Sequence, residues 1–305
     1  MRAQSPTDNA LHADKLADQI AQWTQNRNRF DTPIQGLSLH RWNHPTEPES
    51  YMLAPSICLI GQGKKRLFLG EQAYVYDSQK FLITSVDLPV VAQIIEASPD
   101  SPYLGLTMAL DFRVITQLMV DQEIAPSHQN ANKPGVAVSQ LQPSLSDAFY
   151  RLLDLLNHPE DTAALAPLIQ QEIFYRLLVG EQGPRLRQIV SAGNQGYRIA
   201  RAIDWLKTNF NKPVKVEELA DREGLSLSAF HNHFRSTTAM SPLQFQKRMR
   251  LNEARRLMLT EHIDASKAAF EVGYESPSQF SREYSRLFGA PPKRDISKLS
   301  QLSSA

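Results

Sequence analysis

A single cysteine, Cys58, stands in 305 residues. It excludes an internal disulfide, a Cys-x-x-Cys zinc site and the four-thiolate methyl acceptor of a DNA-alkylation sensor. Long apolar runs are missing too. The stretch from Leu88 to Ile95 is broken by Pro89 and Gln93, far short of the roughly 18–20 residues of a membrane span. Met1 to Trp23 mixes charges with short apolar residues and has no h-region, so no secretory signal is read there and a cytoplasmic protein is expected. No Gly-rich phosphate loop, G-x-S-x-G elbow or H-E-x-x-H occurs. Histidine is thin: His40 and His44 are the only close pair in the N-terminal part. No catalytic residue, metal site or cofactor is therefore assigned. A cupin-like metal enzyme carrying a DNA-binding tail is the rival reading, and it would need ligands clustered on strands.

Charge is also scarce overall, at a net +1, but it is divided. From Gly196 onward there are eighteen Lys and Arg against twelve Asp and Glu, and the preceding residues carry fifteen against twenty. A basic C-terminal third on an acidic body is the footprint of a polyanion partner, double-stranded DNA first.

Residues 1–50 are polar, with a short helical pattern at Leu11, Leu16, Ile20 and Trp23. From Pro55 to Asp111 the texture becomes that of strands. Ser56–Ile60, Arg66–Leu69, Ala73–Tyr76, Lys80–Thr84 and Val91–Glu96 are separated by the turn chemistries GQGK, GEQ, DSQ and DLP. This spacing predicts a small antiparallel β-barrel, cupin-like, or a sandwich. Helical patterns follow at Asp111–Asp121, Leu145–Leu156 and Leu165–Val179. In the last, Leu165, Leu168, Ile169, Ile173 and Leu177 share one face. The fold class expected is α+β: an N-terminal barrel with packed helices, then an all-α C-terminal domain. Residues 1–180 are assigned to effector sensing and dimerisation, 181–196 to a linker holding a short helix at Arg185–Ser191, 197–296 to DNA binding and 297–305 to a tail.

The C-terminal region repeats itself. Leu219-Ala220 precedes Gly224-Leu225-Ser226, then Phe230, Phe234, Ala239 and Pro242. Ala268-Ala269 precedes Gly273-Tyr274-Glu275-Ser276, then Phe280, Tyr284, Gly289 and Pro292. Each unit is a short helix, a glycine turn and a second helix opened by serine. Alanine permits close helix crossing, glycine suits a positive φ, and Ser226 and Ser276 are N-cap candidates, the latter in a capping box with Gln279. The aromatic i, i+4 pairs anchor each second helix. That turns Ser228, His231 and Asn232 outward on one and Ser278, Gln279 and Arg282 on the other, while His233 faces the packing side. Arg282 suits a guanine, and Gln279 or Asn232 an adenine.

These residues carry a resemblance. RLNEARRLML…IDASKAAFEVGYESPSQFSREYSRLFGAPP (250–292) and VEELADREGLSLSAFHNHFRSTTAMSPLQF (216–245) resemble the AraC/XylS transcription regulators. PSICLIGQGKK through YLGLTMALD looks like the N-terminal domain of one AraC-type subgroup. The resemblance implies two helix-turn-helix units entering successive major grooves. It also implies an activator recruiting RNA polymerase, a homodimer, and an N-terminal domain that binds a small-molecule effector. By motif position the same six side chains meet bases. The chain departs from the family in three places. Ala239 stands where glycine is usual, Pro277 sits in the first turn of the last helix, and Asp295-Ile296 replaces an aromatic-Arg pair whose arginine would contact phosphate.

Alternation in Ser56–Ile60 puts Cys58 on one strand face with Ser56 and Ile60, making it the candidate effector-site residue for an electrophile or oxidant. A buried structural thiol is the plainer reading. Lys64, Lys65 and Arg66 read as a solvated tip after a GQGK hairpin turn.

Overall fold

Two β-sheets packed face to face fill the N-terminal half of the computed structural model, which describes residues 6–127, 133–191 and 194–303. After helix α1 (Pro6–Trp23) come strands β1 (Arg29–Asp31), β2 (Leu37–Trp42), β3 (Glu49–Leu53), β4 (Ser56–Gln62), β5 (Lys64–Leu69), β6 (Gln72–Asp77), β7 (Lys80–Thr84), β8 (Leu88–Glu96) and β9 (Tyr103–Ala109). Helix α2 (Phe112–Asp121), strand β10 (Val136–Gln140) and helices α3 (Pro143–Asp154), α4 (Pro159–Val179) and α5 (Gly183–Val190) complete this half. One sheet runs β1-β2-β9-β4-β7-β10 and the other β3-β8-β5-β6, with every pairing antiparallel. The expected barrel is thus two open sheets, not a closed cylinder.

The six-stranded sheet is covered on both faces. Ile57 and Leu59 of β4 pack with Leu16 and Ile20 of α1 and Leu152 of α3, while Cys58 and Ile60 face Leu67, Tyr76 and Val90 across the sandwich. Period-2 alternation thus sends apolar residues into two separate cores. GQGK is not a hairpin. Gly63 carries the chain from β4 in one sheet to β5 in the other at φ +88°, and a Cβ there would lie 2.6 Å from the Glu96 carbonyl oxygen. The apolar face expected on α4 divides: Ile173 and Leu177 are buried, but Leu165 and Leu168 are exposed, as are Tyr175 and Val179.

Seven helices follow: α6 (Gln195–Asn209), α7 (Val216–Arg222), α8 (Leu227–Thr238), α9 (Pro242–Thr260), α10 (Ala265–Glu271), α11 (Pro277–Phe288) and α12 (Pro292–Ser303). The last continues beyond the GAPP motif, where a tail had been expected from 297. The stretch read as linker holds α5, whose Leu186 is fully buried.

The first helix-turn-helix unit shares a continuous core with the sandwich through Ile199, Ile203, Leu206, Phe230, Phe234 and Phe245. The second has its own core of Ala254, Met258, Ala268, Ala269, Phe280 and Tyr284. Polar contacts join the halves, among them one from Arg255 Nη1 to the Ser50 carbonyl at 3.4 Å. Lys207 Nζ meets Asp87 Oδ1 at 2.7 Å, the Gly135 amide donates to the Thr237 carbonyl at 2.7 Å, and Arg255 reaches Glu49 at 3.3 Å.

Candidate nucleic-acid interface

Each glycine turn has the geometry its residue type anticipates. Gly224 and Gly273 sit at φ +64° and +87°, between helix pairs whose crossing alanines, Ala220 and Ala269, are buried. Ser226 Oγ accepts the Ala229 amide and Ser276 Oγ accepts the Gln279 amide, capping α8 and α11. The capping box at Ser276 is only half formed, because the Gln279 side chain donates to Glu283 instead. The complete box lies at the start of α9, between Ser241 and Gln244.

Phe230 and Phe234 bury α8, and Phe280 and Tyr284 bury α11. All six predicted side chains are consequently exposed: Ser228, His231 and Asn232 on α8, and Ser278, Gln279 and Arg282 on α11. They lie on the N-terminal halves of their helices, the part a major groove admits first. Arg282 makes no hydrogen bond or ion pair among the described residues, so its five donors are available. His233 is half-buried, and burial lowers its pKa.

Gln279 is held by its neighbours. Glu283 takes hydrogen bonds from Gln279 Nε2 at 3.3 Å, Lys247 Nζ at 3.0 Å and Tyr274 Oη at 2.8 Å. Burial pushes the Glu283 carboxyl up, but these three donors outweigh it and the pKa falls. The carboxylate thus stays charged and orients the Gln279 amide.

The two units are fixed to one another by side chains that spacing did not reveal. Arg250 of α9 donates to the carbonyls of Phe210 at 2.6 Å, Lys212 at 3.1 Å and Gly273 at 2.8 Å. Gln246, one turn earlier, donates to Phe210 and Lys212. One helix therefore grips the end of α6 and the turn of the second unit. α9 has 19 residues, which makes it about 28 Å long, on the scale of the roughly 34 Å between successive major grooves on one face of a duplex.

The three departures differ in what they do. Ala239 adopts the left-handed conformation at φ +60°, as Gly289 does at φ +77° in the second unit. Pro277 occupies the start of α11, where no intrahelical donor is needed. Asp295 is buried, accepting from Arg255 Nε and Nη2 at 2.8 and 3.0 Å and from Tyr284 Oη at 2.7 Å. It holds α9, α11 and α12 together from within.

In the N-terminal half, His40 and His44 diverge. His40 is half-buried between the sheets, where desolvation first and the nearby Lys65 charge second depress its pKa to about 4, while His44 is exposed. Among the described residues no group of three His, Cys, Asp or Glu is placed to hold a metal ion. No helix among them is long and apolar enough to cross a membrane. Cys58 is buried, 3.7 Å from Thr107 Oγ1.

Residues 33–185 match the model of the AraC-type transcriptional regulator N-terminus, and residues 219–296 match a helix-turn-helix domain. The chain belongs to the AraC-type transcriptional regulators. Its place in this family makes it a DNA-binding transcription regulator. Among its relatives are two proteins called HTH-type transcriptional activator RhaS. That of Pectobacterium carotovorum subsp. carotovorum (strain PC1) is 23% identical over 255 residues, covering 81% of this chain and 86% of the relative. That of Citrobacter koseri is 26% identical over 231 residues, covering 74% and 76%. The fold is similar to that of ToxT from Vibrio cholerae in its unsaturated-fatty-acid-bound form. There the TM-score is 0.56 at 9% identity, over 88% of this chain and 97% of ToxT.

Proposed function

We propose that this regulator reads an operator through Ser228, His231 and Asn232 in one major groove and Ser278, Gln279 and Arg282 in the next. The single observation that carries the reading is the matched exposure of these six polar side chains on two helices buried by their aromatic anchors. Residues 197–296 do the reading and residues 1–180 receive a small-molecule signal, the stretch 181–196 passing between them. Activation is the sign supported by the names of the RhaS relatives; RNA polymerase is its proposed partner, and the cytoplasm, at the nucleoid, its proposed place. A homodimer is supported by the apolar residues left open on α4: Leu165, Leu168, Tyr175 and Val179.

Operator selection from a random pool, followed by footprinting, tests the reading. Arg282→Ala is expected to cost about 1–3 kcal/mol at one base position and relax the preference there. Asn232→Ala is expected to act roughly one helical turn, about 10 base pairs, away. A uniform loss across all sequences, or protection of a single groove, would overturn it.

A further inference from the structure

The two reading helices end in different surroundings. α11 ends at Gly289, where a Cβ would meet no heavy atom within 4 Å. The matching position on α8 is Ala239, and there the sandwich is in contact. A Cβ on Gly70, in the turn between β5 and β6, would lie 3.0 Å from the Ala239 Cβ. The bare backbone at Gly70 is what admits the Ala239 methyl.

Thr237, two residues earlier, is held by the same half. Its carbonyl accepts from the Gly135 amide, and a Cβ on Gly135 would lie 3.2 Å from that oxygen and 2.9 Å from Val86 Cγ2. The Gly135 carbonyl accepts in turn from the Ser85 amide at 2.9 Å and from Ser85 Oγ at 3.1 Å. Ser85 directly follows β7, and Asp87, two residues on, accepts from Lys207 of α6. The strand ends that fix the end of α8 therefore also fix α6.

The place of these contacts along α8 decides what they do. The helix has 12 residues and is about 18 Å long. Phe230 and Phe234 bury it along one side, and residues 237–239 close its C-terminal end against the sandwich. Ser228, His231 and Asn232 stand toward the opposite end. A helix held along one side and at one end turns about its anchors when that end is moved, because close-packed interiors pass strain on. Hydrogen bonds to base edges lose strength steeply with misalignment, so the reading end feels a shift made at Thr237.

We infer that Gly70 and Gly135 are positioning residues for the first reader. The sandwich sets the angle of α8 by direct contact at Thr237 and Ala239. Base discrimination in the first major groove depends on that seat, and discrimination in the second does not. This rests on the reading that α8 and α11 each enter a groove. It adds a route between the halves besides the stretch 181–196, and it gives Ala239, which replaces the usual glycine, a partner in this chain.

Operator selection with the full chain, followed by affinities for single-base variants of the selected site, tests the inference. Unfolding curves first establish that each protein is folded. Asn232→Ala locates the bases that α8 reads, and Arg282→Ala those that α11 reads. Gly135→Ala presses a methyl on the Thr237 carbonyl. It should lower discrimination at the α8 bases about threefold or more and leave the α11 bases within about twofold. Gly70→Ala should act in the same way through Ala239. Adding Ala239→Gly to Gly70→Ala removes the opposing methyl and should restore discrimination, even though residue 70 keeps its strained φ of +61°. Gly289→Ala places comparable strain, at φ +77°, where nothing is met. It should cost stability and leave discrimination in both grooves unchanged. A purely structural role would follow stability and would not choose between grooves. Should Gly135→Ala not fold, the Gly70 and Ala239 pair carries the test. Equal loss at both sets of bases, no loss at the α8 bases in the folded variants, or failure of Ala239→Gly to rescue Gly70→Ala overturns the inference. The underlying reading fails separately: if Asn232→Ala alters the preference at no base, α8 is not a reader and the seat has nothing to position. A base that depends on Asn232 but on neither Gly70 nor Gly135 keeps the reader and removes the seat.

Discussion

Replacing Asp295 by asparagine isolates the charge at the junction of α9, α11 and α12 without changing its shape. The native carboxylate takes two hydrogen bonds from Arg255 and one from Tyr284. Both charged side chains are largely shielded, at 12% and 8% exposure. An amide has one acceptor oxygen, and its NH₂ would face a guanidinium that can only donate. Removing one partner of a buried pair costs about 3–5 kcal/mol. Glu49, 3.3 Å from Arg255 but 54% exposed, takes up part of that charge, so a loss of about 2–4 kcal/mol is expected. Tyr284→Phe deletes only the hydroxyl bond to the same carboxylate and should cost about 1.5–3 kcal/mol. Because the two changes share an acceptor, the double variant should fall short of their sum by more than about 0.5 kcal/mol. Urea unfolding, with hydrogen exchange at α11 and α12 to localise the loss, measures all three. A cost below about 0.5 kcal/mol for Asp295→Asn, or strict additivity with Tyr284→Phe, would refute the reasoning.

Ala239→Gly should raise the melting temperature, because the left-handed backbone costs alanine roughly 1 kcal/mol that glycine avoids; an unchanged or lowered midpoint contradicts this. Gly273→Ala should destabilise by about 2–4 kcal/mol, since its Cβ would press on the Asn211 carbonyl at a φ of +87°. Gly224→Ala, with only Arg198 Nη1 at 3.7 Å, should cost near 1 kcal/mol, and equilibrium unfolding of the pair separates collision from strain. His40 has a folded pKa of about 4 against an ordinary 6.5, so the unfolded chain takes up the proton first. Stability present above pH 6.5 is therefore lost as pH falls toward 4, by roughly 2–3 kcal/mol. His40→Gln should flatten that part of the stability–pH profile, and an unchanged slope would show that other groups produce it.

The C-terminal half was legible because its signals are local. A glycine at positive φ, a serine cap and aromatic pairs four apart each report on their own turn, and the repeat reports them twice. Strand β4 was legible for a similar reason: Ser56, Cys58 and Ile60 alternate with Ile57 and Leu59 on opposite faces. Strand β2 was not. Leu37 and Leu39 face the helices while Ser38 and His40 face the space between the sheets, so a strand covered on both sides looks half polar, and no strand was read before Pro55. Lys65, read as part of a solvated tip, instead donates to Tyr51 Oη at 3.3 Å, and its turn escaped notice because its neighbours Lys64 and Arg66 are also basic. Which residues grip across units, such as Gln246 and Arg250, depends on the meeting of elements 34 to 40 residues apart, and no local pattern encodes it.

Two near copies of one motif thus live under different obligations. The first is fused to the sandwich through a common core, and its reading helix ends on a carbonyl, that of Thr237, bonded to Gly135. The second leans on the sandwich mainly through Arg255 and Glu49. Loosening the β-rich half therefore drags the first reader with it and leaves the second standing. The chain is better regarded as a large cooperative block and a small satellite than as a sensor followed by a pair of equals, and the seam lies along α9, inside the DNA-reading half, not at the glycines that precede it.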